Sequence, residues 1–262
     1  MQVTPFDELA SDYDSRFTHS ACGVTLRAMV WESLSKAFAS RPRILELGCG
    51  TGEDAIHLAR AGHRVVAMDA SEEMIRIARL KATAAGFADR IDFHAMPMEA
   101  LHTLPLEERF DGVFSNFGAI NCVSDVSRLA HDLARRMAPG SPLIFVVMGR
   151  YVPWEWGWFL SRGDGHRAFR RLNRDGVSWR GLTIHYPTPS GLAASLAPMF
   201  ETRWRAALGF LLPPSYASGW LNGRPNVLAA LTAVERRMRR MTAGLADHYM
   251  LEAVRATGSS DA

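Results

Sequence analysis

The sequence predicts an α/β protein whose sheet is mostly parallel, with helices on both faces. Three observations predict it. Between Arg43 and Gly149 short apolar runs of strand character alternate with amphipathic helical runs. Those helical runs carry their own punctuation, a Ser71 cap and closures at Gly62, Gly86 and Gly140. The first strand also runs straight into a glycine turn that opens a helix, "ILELGCGTGE" from Ile44 to Glu53. At 262 residues and 48% hydrophobic content, the chain is long enough for one domain carrying a modest insertion.

The elements follow in order. Residues 4–38 read as two helices, because Phe6, Leu9 and Tyr13, then Leu26, Val30, Leu34 and Phe38, fall on helical faces. "RILELG" is a strand, "GEDAIHLARAG" a helix, "HRVVAMDA" a strand, "SEEMIRIARLKATAAG" a helix and "DRIDFHAM" a third strand. "RFDGVFSNF" then reads as a strand, "VSRLAHDLARRMAPG" as a helix ended by Pro139 and Gly140, and "SPLIFVVMG" as a fifth strand. Alternation of this kind makes a parallel sheet whose ligands sit at the carboxyl ends of its strands. Regularity breaks over residues 150–186, where tryptophans and arginines interleave, and this segment reads as an insertion. It returns with "TPSGLAASLAPMF" as a helix, "ETRWRAALGFLL" as a strand, "PNVLAALTAVERRMRRMTAGL" as a helix, "HYMLEAVRA" as a last strand and "GSSDA" as a frayed tail. The expected organisation is a helical cap at 1–40, a ligand-binding core at 41–149, an insertion at 150–186 and a completion of the core at 187–258.

Composition narrows the function. The formal charge of +3 and a pI near 9.0 suggest a nucleic-acid partner until one notes that Lys36 and Lys81 are the only lysines; arginine bias discounts the signal. The run Arg236, Arg237, Arg239, Arg240 reads as a solvated helix face. No apolar run is long enough to span a membrane and the N-terminal residues are acidic, so a cytoplasmic protein with no membrane partner is expected. Cys22, Cys49 and Cys122 lie far apart and outside any metal-ligand spacing.

The glycine turn admits two readings. In the dinucleotide pattern G-x-G-x-x-G, the third glycine position after Gly48 and Gly50 is held by Glu53, a carboxylate that would face a pyrophosphate. The order Glu46, Gly48, Gly50, Gly52 instead resembles the first motif of class I S-adenosylmethionine-dependent methyltransferases. "VVAMDAS" ending on Asp69, "FDGVFSNFGAIN" and "DELASDYDSRF" are similar to further segments of that family's small-molecule members. The resemblance covers residues 5–149 well and the C-terminal strands more loosely. It implies a Rossmann-like sheet with its last strand antiparallel, and S-adenosyl-L-methionine as cofactor.

The resemblance assigns cofactor contacts to Tyr13, Glu46, Gly48, Cys49, Gly50, Gly52, Asp69, Ala70, Met74, Met98, Glu99, Asn116, Phe117 and Gly118. Glu46 would answer the cofactor's ammonium, Asp69 would accept both ribose hydroxyls, and Met74 either packs on the adenine or is a core methionine. Pro97 stands near the position where many members place an adenine-binding Asp, leaving Met98 and Glu99 for the task. Metal-dependent members need carboxylates after the fourth strand; Asn116 and Asn121 stand there, so no metal is expected. Members that methylate base nitrogens carry a Pro-Pro motif where this chain reads "SNFG", which argues against nucleic acid as the substrate.

The expected activity is thus methyl transfer to a small molecule, at an oxygen, nitrogen or carbon the sequence does not name, by a monomer or homodimer. The insertion is either a lid over the acceptor or a packed subdomain. As a lid it offers Tyr151, Trp154 and Trp156 as apolar wall and Arg150, Arg167 and Arg170 to pair with an acidic group, for an acceptor that is anionic or aromatic, although an aromatic wall also suits a cationic amine. Should the nucleophile arrive protonated, His19, Glu155, His185 and Tyr186 are the candidate bases. A non-catalytic cofactor-binding module and an NAD(P)-dependent oxidoreductase are the alternatives.

Overall fold

The computed structural model describes residues 4–105, 109–221 and 223–257. The expected "GSSDA" tail lies outside them. After a short helical turn α1 (Ala10–Tyr13), the chain widens into a π-turn (Asp14–Thr18) and then forms α2 (Ala21–Ala37). The first expected helix is therefore broken, and π-turns of this kind recur at functional sites. There follow β1 (Arg43–Leu47), α3 (Glu53–Arg60), β2 (Arg64–Asp69), α4 (Glu72–Ala84), β3 (Ile91–Ala95), β4 (Gly112–Ser115), α5 (Val126–Ala134) and β5 (Pro142–Met148). The caps act as expected at α4, where the Ser71 side chain accepts from the Met74 N–H.

The 150–186 segment is more ordered than its sequence suggests. It forms α6 (Pro153–Leu160), α7 (Gly165–Phe169) and a hairpin of β6 (Val177–Trp179) and β7 (Leu182–Ile184). The chain then returns through α8 (Pro189–Leu196), β8 (Phe200–Leu208), α9 (Pro225–Met238) and β9 (His248–Arg255). Helix α9 stops short of its expected end at Leu245, because the Arg239 carbonyl leaves the helix to accept the N–H of Ala207 on β8.

The main sheet has the order β3-β2-β1-β4-β5-β9-β8. Its first five strands pair in parallel, and β9 runs antiparallel to both neighbours. Alternate residues divide the core between the two faces. Ile44 packs with α2, α3 and α4, while Leu45 and Leu47 pack with α5 and α8. Strand order reverses between β1 and β4, and a sheet of this kind presents its ligand crevice there. Among the described residues no helix is long and apolar enough to cross a membrane.

One turn was illegible beforehand. Glu235 of α9 is buried, and its carboxylate accepts the backbone N–H groups of Gly209, Phe210, Leu211 and Leu212, tying the end of β8 to the helix. This turn then carries the insertion, since the Leu211 carbonyl accepts the Trp154 indole N–H at 3.1 Å.

Candidate active site

A cavity of about 1380 Å³ opens at the carboxyl ends of β1, β2 and β4. That exceeds the roughly 300–1,000 Å³ of a pocket for one drug-sized ligand, so it has room for two. The glycine turn forms its floor, and each glycine has its own reason. At Gly48 a Cβ would lie 2.2 Å from the Ala119 Cβ, and at Gly52 one would lie 2.8 Å from the Ala78 Cβ of α4. At Gly50, with φ +53°, the nearest atom to a Cβ is the Tyr13 Cε1 at 4.0 Å, so this position faces open cavity. Gly50→Ala is expected to lower stability by only ~1–2 kcal/mol, the strain of the left-handed backbone. It should weaken S-adenosylhomocysteine binding far more, and Gly50→Val should nearly abolish it. Thermal unfolding and calorimetry on the same variant check this; normal binding would remove the loop from the site.

Asp69 ends β2 beside this floor. Its Oδ2 accepts the Gly50 N–H at 2.8 Å and its Oδ1 the Ser71 N–H at 2.9 Å. Each oxygen keeps one further lone pair, enough for a vicinal diol. Burial raises the Asp69 carboxyl above its ordinary range, and the two N–H bonds oppose the rise. The N-terminal arm closes over the turn. Asp14 accepts Thr51 Oγ1 and Lys81 Nζ, both at 2.7 Å, and Asp7 accepts Ser71 Oγ at 2.6 Å. Tyr13 comes down between these anchors onto the cavity wall, its phenol pushed up to about 12 by burial. Glu53 is turned away and paired with Lys81 at 2.9 Å.

Behind the floor lies a buried polar cluster that the sequence did not announce. Asp54 accepts Arg27 Nη1 at 2.5 Å, Trp31 Nε1 at 2.7 Å and Asn116 Nδ2 at 2.9 Å. Asn116 in turn accepts the Phe117 N–H at 2.9 Å, and Phe117 holds φ +43°, an uncommon conformation for a bulky residue. The Arg27 guanidinium lies 5.0 Å from the Phe117 ring centroid. Glu46 shares this face of β1. Burial and the neighbouring Asp54 raise its carboxyl well above the ordinary range, Arg27 opposing, and its Oε2 has no hydrogen-bond partner among the described residues. Glu46 is 1% exposed and does not reach the cavity, so the fit of the residues present to S-adenosylmethionine rests on the open Gly50 floor and the Asp69 carboxylate, which suit a close-lying backbone contact and a ribose diol.

Of the expected cofactor contacts, Tyr13, Gly48, Gly50, Asp69, Ala70, Met74, Met98, Glu99, Asn116, Phe117 and Gly118 line the cavity; Pro97 lines it too. Glu46, Cys49 and Gly52 do not, and stand behind its wall. Asn121 was weighed as a metal position, but its side chain is engaged elsewhere. It donates to the carbonyls of Met148 at 3.2 Å and His185 at 2.5 Å and accepts the Met148 N–H, fastening the end of the insertion to β5.

The expected acceptor and base residues need correction. Arg150, Tyr151, Trp154 and Trp156 do not line the cavity. Arg150 donates to the Tyr186 carbonyl, Tyr151 is exposed, Trp154 is held by Leu211, and Trp156 packs toward Phe169. The reason is the path of the chain: α6 packs outward on the 209–216 turn, and it is the β6–β7 hairpin that covers the cavity. Val177, Trp179, Leu182 and Ile184 of the hairpin form the wall instead, with Phe6 of the arm 5.4 Å from the Trp179 ring centroid. Among the candidate bases, His19 is exposed and off the cavity, and His185 is off the cavity and anchored through its backbone to Asn121. Glu155 is fully buried and ion-paired with Arg170 and Arg171, so it has no access to a substrate proton. Only Tyr186 of the four lines the cavity.

Comparison with known proteins agrees with this geometry. Residues 44–140 match the family model of a methyltransferase domain. The chain is 32% identical over 97 residues to the tRNA 5-carboxymethoxyuridine methyltransferase of Escherichia coli, covering 36% of this chain and 37% of that one. It is 33% identical over 141 residues to the demethylmenaquinone methyltransferase of Clavibacter sepedonicus, covering 53% and 54%. The chain thus spans about half or less of the length of these curated relatives. Similarity of fold extends further. The CcbJ methyltransferase from Streptomyces caelestis superposes with a TM-score of 0.62 at 17% identity, over 97% of this chain and 99% of that one. An S-adenosylmethionine-dependent methyltransferase from Mesorhizobium loti gives 0.56 at 22% identity, over 91% and 99%. Residues 44–140, which carry the glycine floor and Asp69, thus match a methyltransferase domain, and the seven-stranded sheet around them has the fold of S-adenosylmethionine-dependent methyltransferases.

Proposed function

We propose that this protein transfers the methyl group of S-adenosylmethionine to a small-molecule acceptor bound beneath the β6–β7 hairpin. The observation that carries the reading is the division of one large cavity into two unlike halves. One is built of the glycine floor, Asp69 and Met74, and the other of the apolar hairpin and the arginines beside it. Bound S-adenosylmethionine supplies a methyl group on a positively charged sulfur, so the leaving group is built into the cofactor. What the chain has to add is alignment and dryness. Gly48 and Gly50 let the backbone approach closely, Asp69 fixes the ribose, and Phe6 with Trp179 roofs the cavity against water. Holding two reactants in line is worth effective molarities of about 10⁵ to 10⁸ M.

Burial raises the Tyr186 phenol, the Arg171 and Arg170 guanidiniums opposing. The group therefore stays protonated at neutral pH and positions an acceptor by donating, with no role as a base. Asn116 and Asn121 spend their amides on Asp54 and on the Met148 and His185 carbonyls, which supports a metal-independent reaction.

Calorimetry with S-adenosylhomocysteine and with NADH tests the cofactor; only the first should bind. Incubation of cell extract with the protein and methyl-labelled cofactor, followed by mass spectrometry, tests the rest. Label should enter a small-molecule fraction and persist in the presence of a chelator. Label confined to RNA, or activity lost to the chelator and restored by magnesium, would sink the respective part of the reading.

A further inference from the structure

We propose that the methyl acceptor carries an anionic group, a carboxylate or a phosphate, and that Arg170 and Arg167 hold it. This rests on the methyl-transfer reading and specifies the acceptor half of the same cavity. Charge is sorted along the cavity wall. Asp69 at the end of β2 and Glu99 on the turn after β3 stand at the cofactor half, whereas the lid half presents His166, Arg167, Arg170 and Arg180. Glu8 is the one carboxylate that reaches the lid half among the described residues, and it pairs with Arg180 near the surface.

Arg170 is set up differently from its neighbours. The buried Glu155 takes Arg170 on one carboxylate oxygen and Arg171 on the other, and Arg171 continues to Asp247 at 2.8 Å. Arg171 is thereby enclosed between two carboxylates. Arg170 is gripped at one edge, with 25% of its side chain still exposed and on the cavity wall. A guanidinium carries five donors in a rigid plane; with one edge on Glu155 and one donor shared with the Tyr186 phenol, the others remain for a second oxyanion. Arg167 joins it: the Cζ atoms of Arg167 and Arg170 lie 5.9 and 5.4 Å from the Phe159 ring centroid. Its own carboxylate neighbour, Asp164, is only a loose and exposed partner at 3.4 Å.

Between this pair and the cofactor half lie Val177, Trp179, Leu182 and Ile184. The complementary molecule therefore has an apolar, flat or extended body and an anionic end. Charge-assisted pairing at that end fixes which atom of the body faces the methyl donor. A cationic amine, acceptable to an aromatic wall alone, would here face repulsion from the arginines.

The test uses the whole protein saturated with S-adenosylhomocysteine and two anionic probes, 4-hydroxybenzoate and phenyl phosphate, against the neutral 4-hydroxybenzamide. Calorimetry and ligand-observed NMR report binding. One or both anions should bind at least tenfold more tightly than the amide, and whichever binds identifies the source of the charge. Arg170→Met, which leaves Arg171 to neutralise Glu155, and Arg167→Gln, at an exposed side chain, should each weaken the anion at least tenfold with S-adenosylhomocysteine affinity unchanged. Equal binding of the amide, no binding of either anion, or wild-type affinity in both variants overturns the proposal. Failure of S-adenosylhomocysteine itself to bind the wild type would fall instead on the methyl-transfer reading.

Discussion

Asp54→Ala is expected to lower folding stability by about 3 to 5 kcal/mol, the cost of leaving a buried cation without its partner. The side chains of Asp54 and Arg27 are only 5% and 6% exposed; burial lowers the Arg27 guanidinium and the Asp54 charge more than offsets it, so without Asp54 the guanidinium stays charged and loses its compensating partner. Removing it also strands the Trp31 indole N–H and the Asn116 amide, whose bonds it accepts. The damage reaches the cavity, because Asn116 orients the strained Phe117 on its wall. Chemical denaturation of Asp54→Ala and Asp54→Asn measures the effect, with the double variant Asp54→Leu, Arg27→Met as control. The double variant should recover much of the loss, since a well-packed apolar pair is often as stable as a buried ion pair. A single-variant loss below about 1 kcal/mol would show that water reaches the cluster.

Asp69→Ala should weaken S-adenosylhomocysteine by at least about 100-fold, because two hydrogen bonds to a charged acceptor are each worth about 1.5 to 3 kcal/mol. Asp69→Asn separates the role of charge from that of shape, since it keeps one acceptor for the Gly50 and Ser71 backbone. The pH dependence has a fixed sign. Burial raises the folded-state carboxyl, so the uncharged form stabilises the fold below the unfolded pKa, and that contribution is lost as pH rises through the folded one. Diol binding requires the ionised form and runs the other way, so affinity should fall as pH drops through the raised value. Calorimetry across that range checks both; a pH-independent affinity together with wild-type binding by Asp69→Ala would remove Asp69 from the site.

Much of the cofactor half is legible in the sequence because its determinants are local. Gly48, Gly50 and Gly52 announce a backbone turn whatever surrounds them, and Asp69 is placed by counting along a strand whose alternation is plain. The acceptor half is not legible in this way. Nothing local distinguishes Trp154 from Trp179: the first is diverted by the Leu211 carbonyl, 57 residues away, and the second is delivered to the cavity by a hairpin. Glu155 reads as a candidate base in sequence because the arginines that neutralise it are one helix further on. The Arg27 and Asp54 pair spans 27 residues and carries no periodic signature, since its partners belong to separate helices.

The position of β9 bears on how the molecule is made. Strands β1 to β5 are all synthesised before residue 149, and most of the cofactor floor is available to fold as it leaves the ribosome. Strand β8 is not, because its place at the sheet edge is reached only through β9. Until His248–Arg255 emerges, β5 offers an open edge and β8 has no strand beside it, a state in which nascent chains pair wrongly with one another. Arg171 must wait as well, since its buried partner Asp247 immediately precedes β9. Arrival of this late strand therefore closes the sheet and locks the acceptor cover in the same event. On the proposed function, the half of the cavity meant for the methyl donor can form well before the half meant for the acceptor.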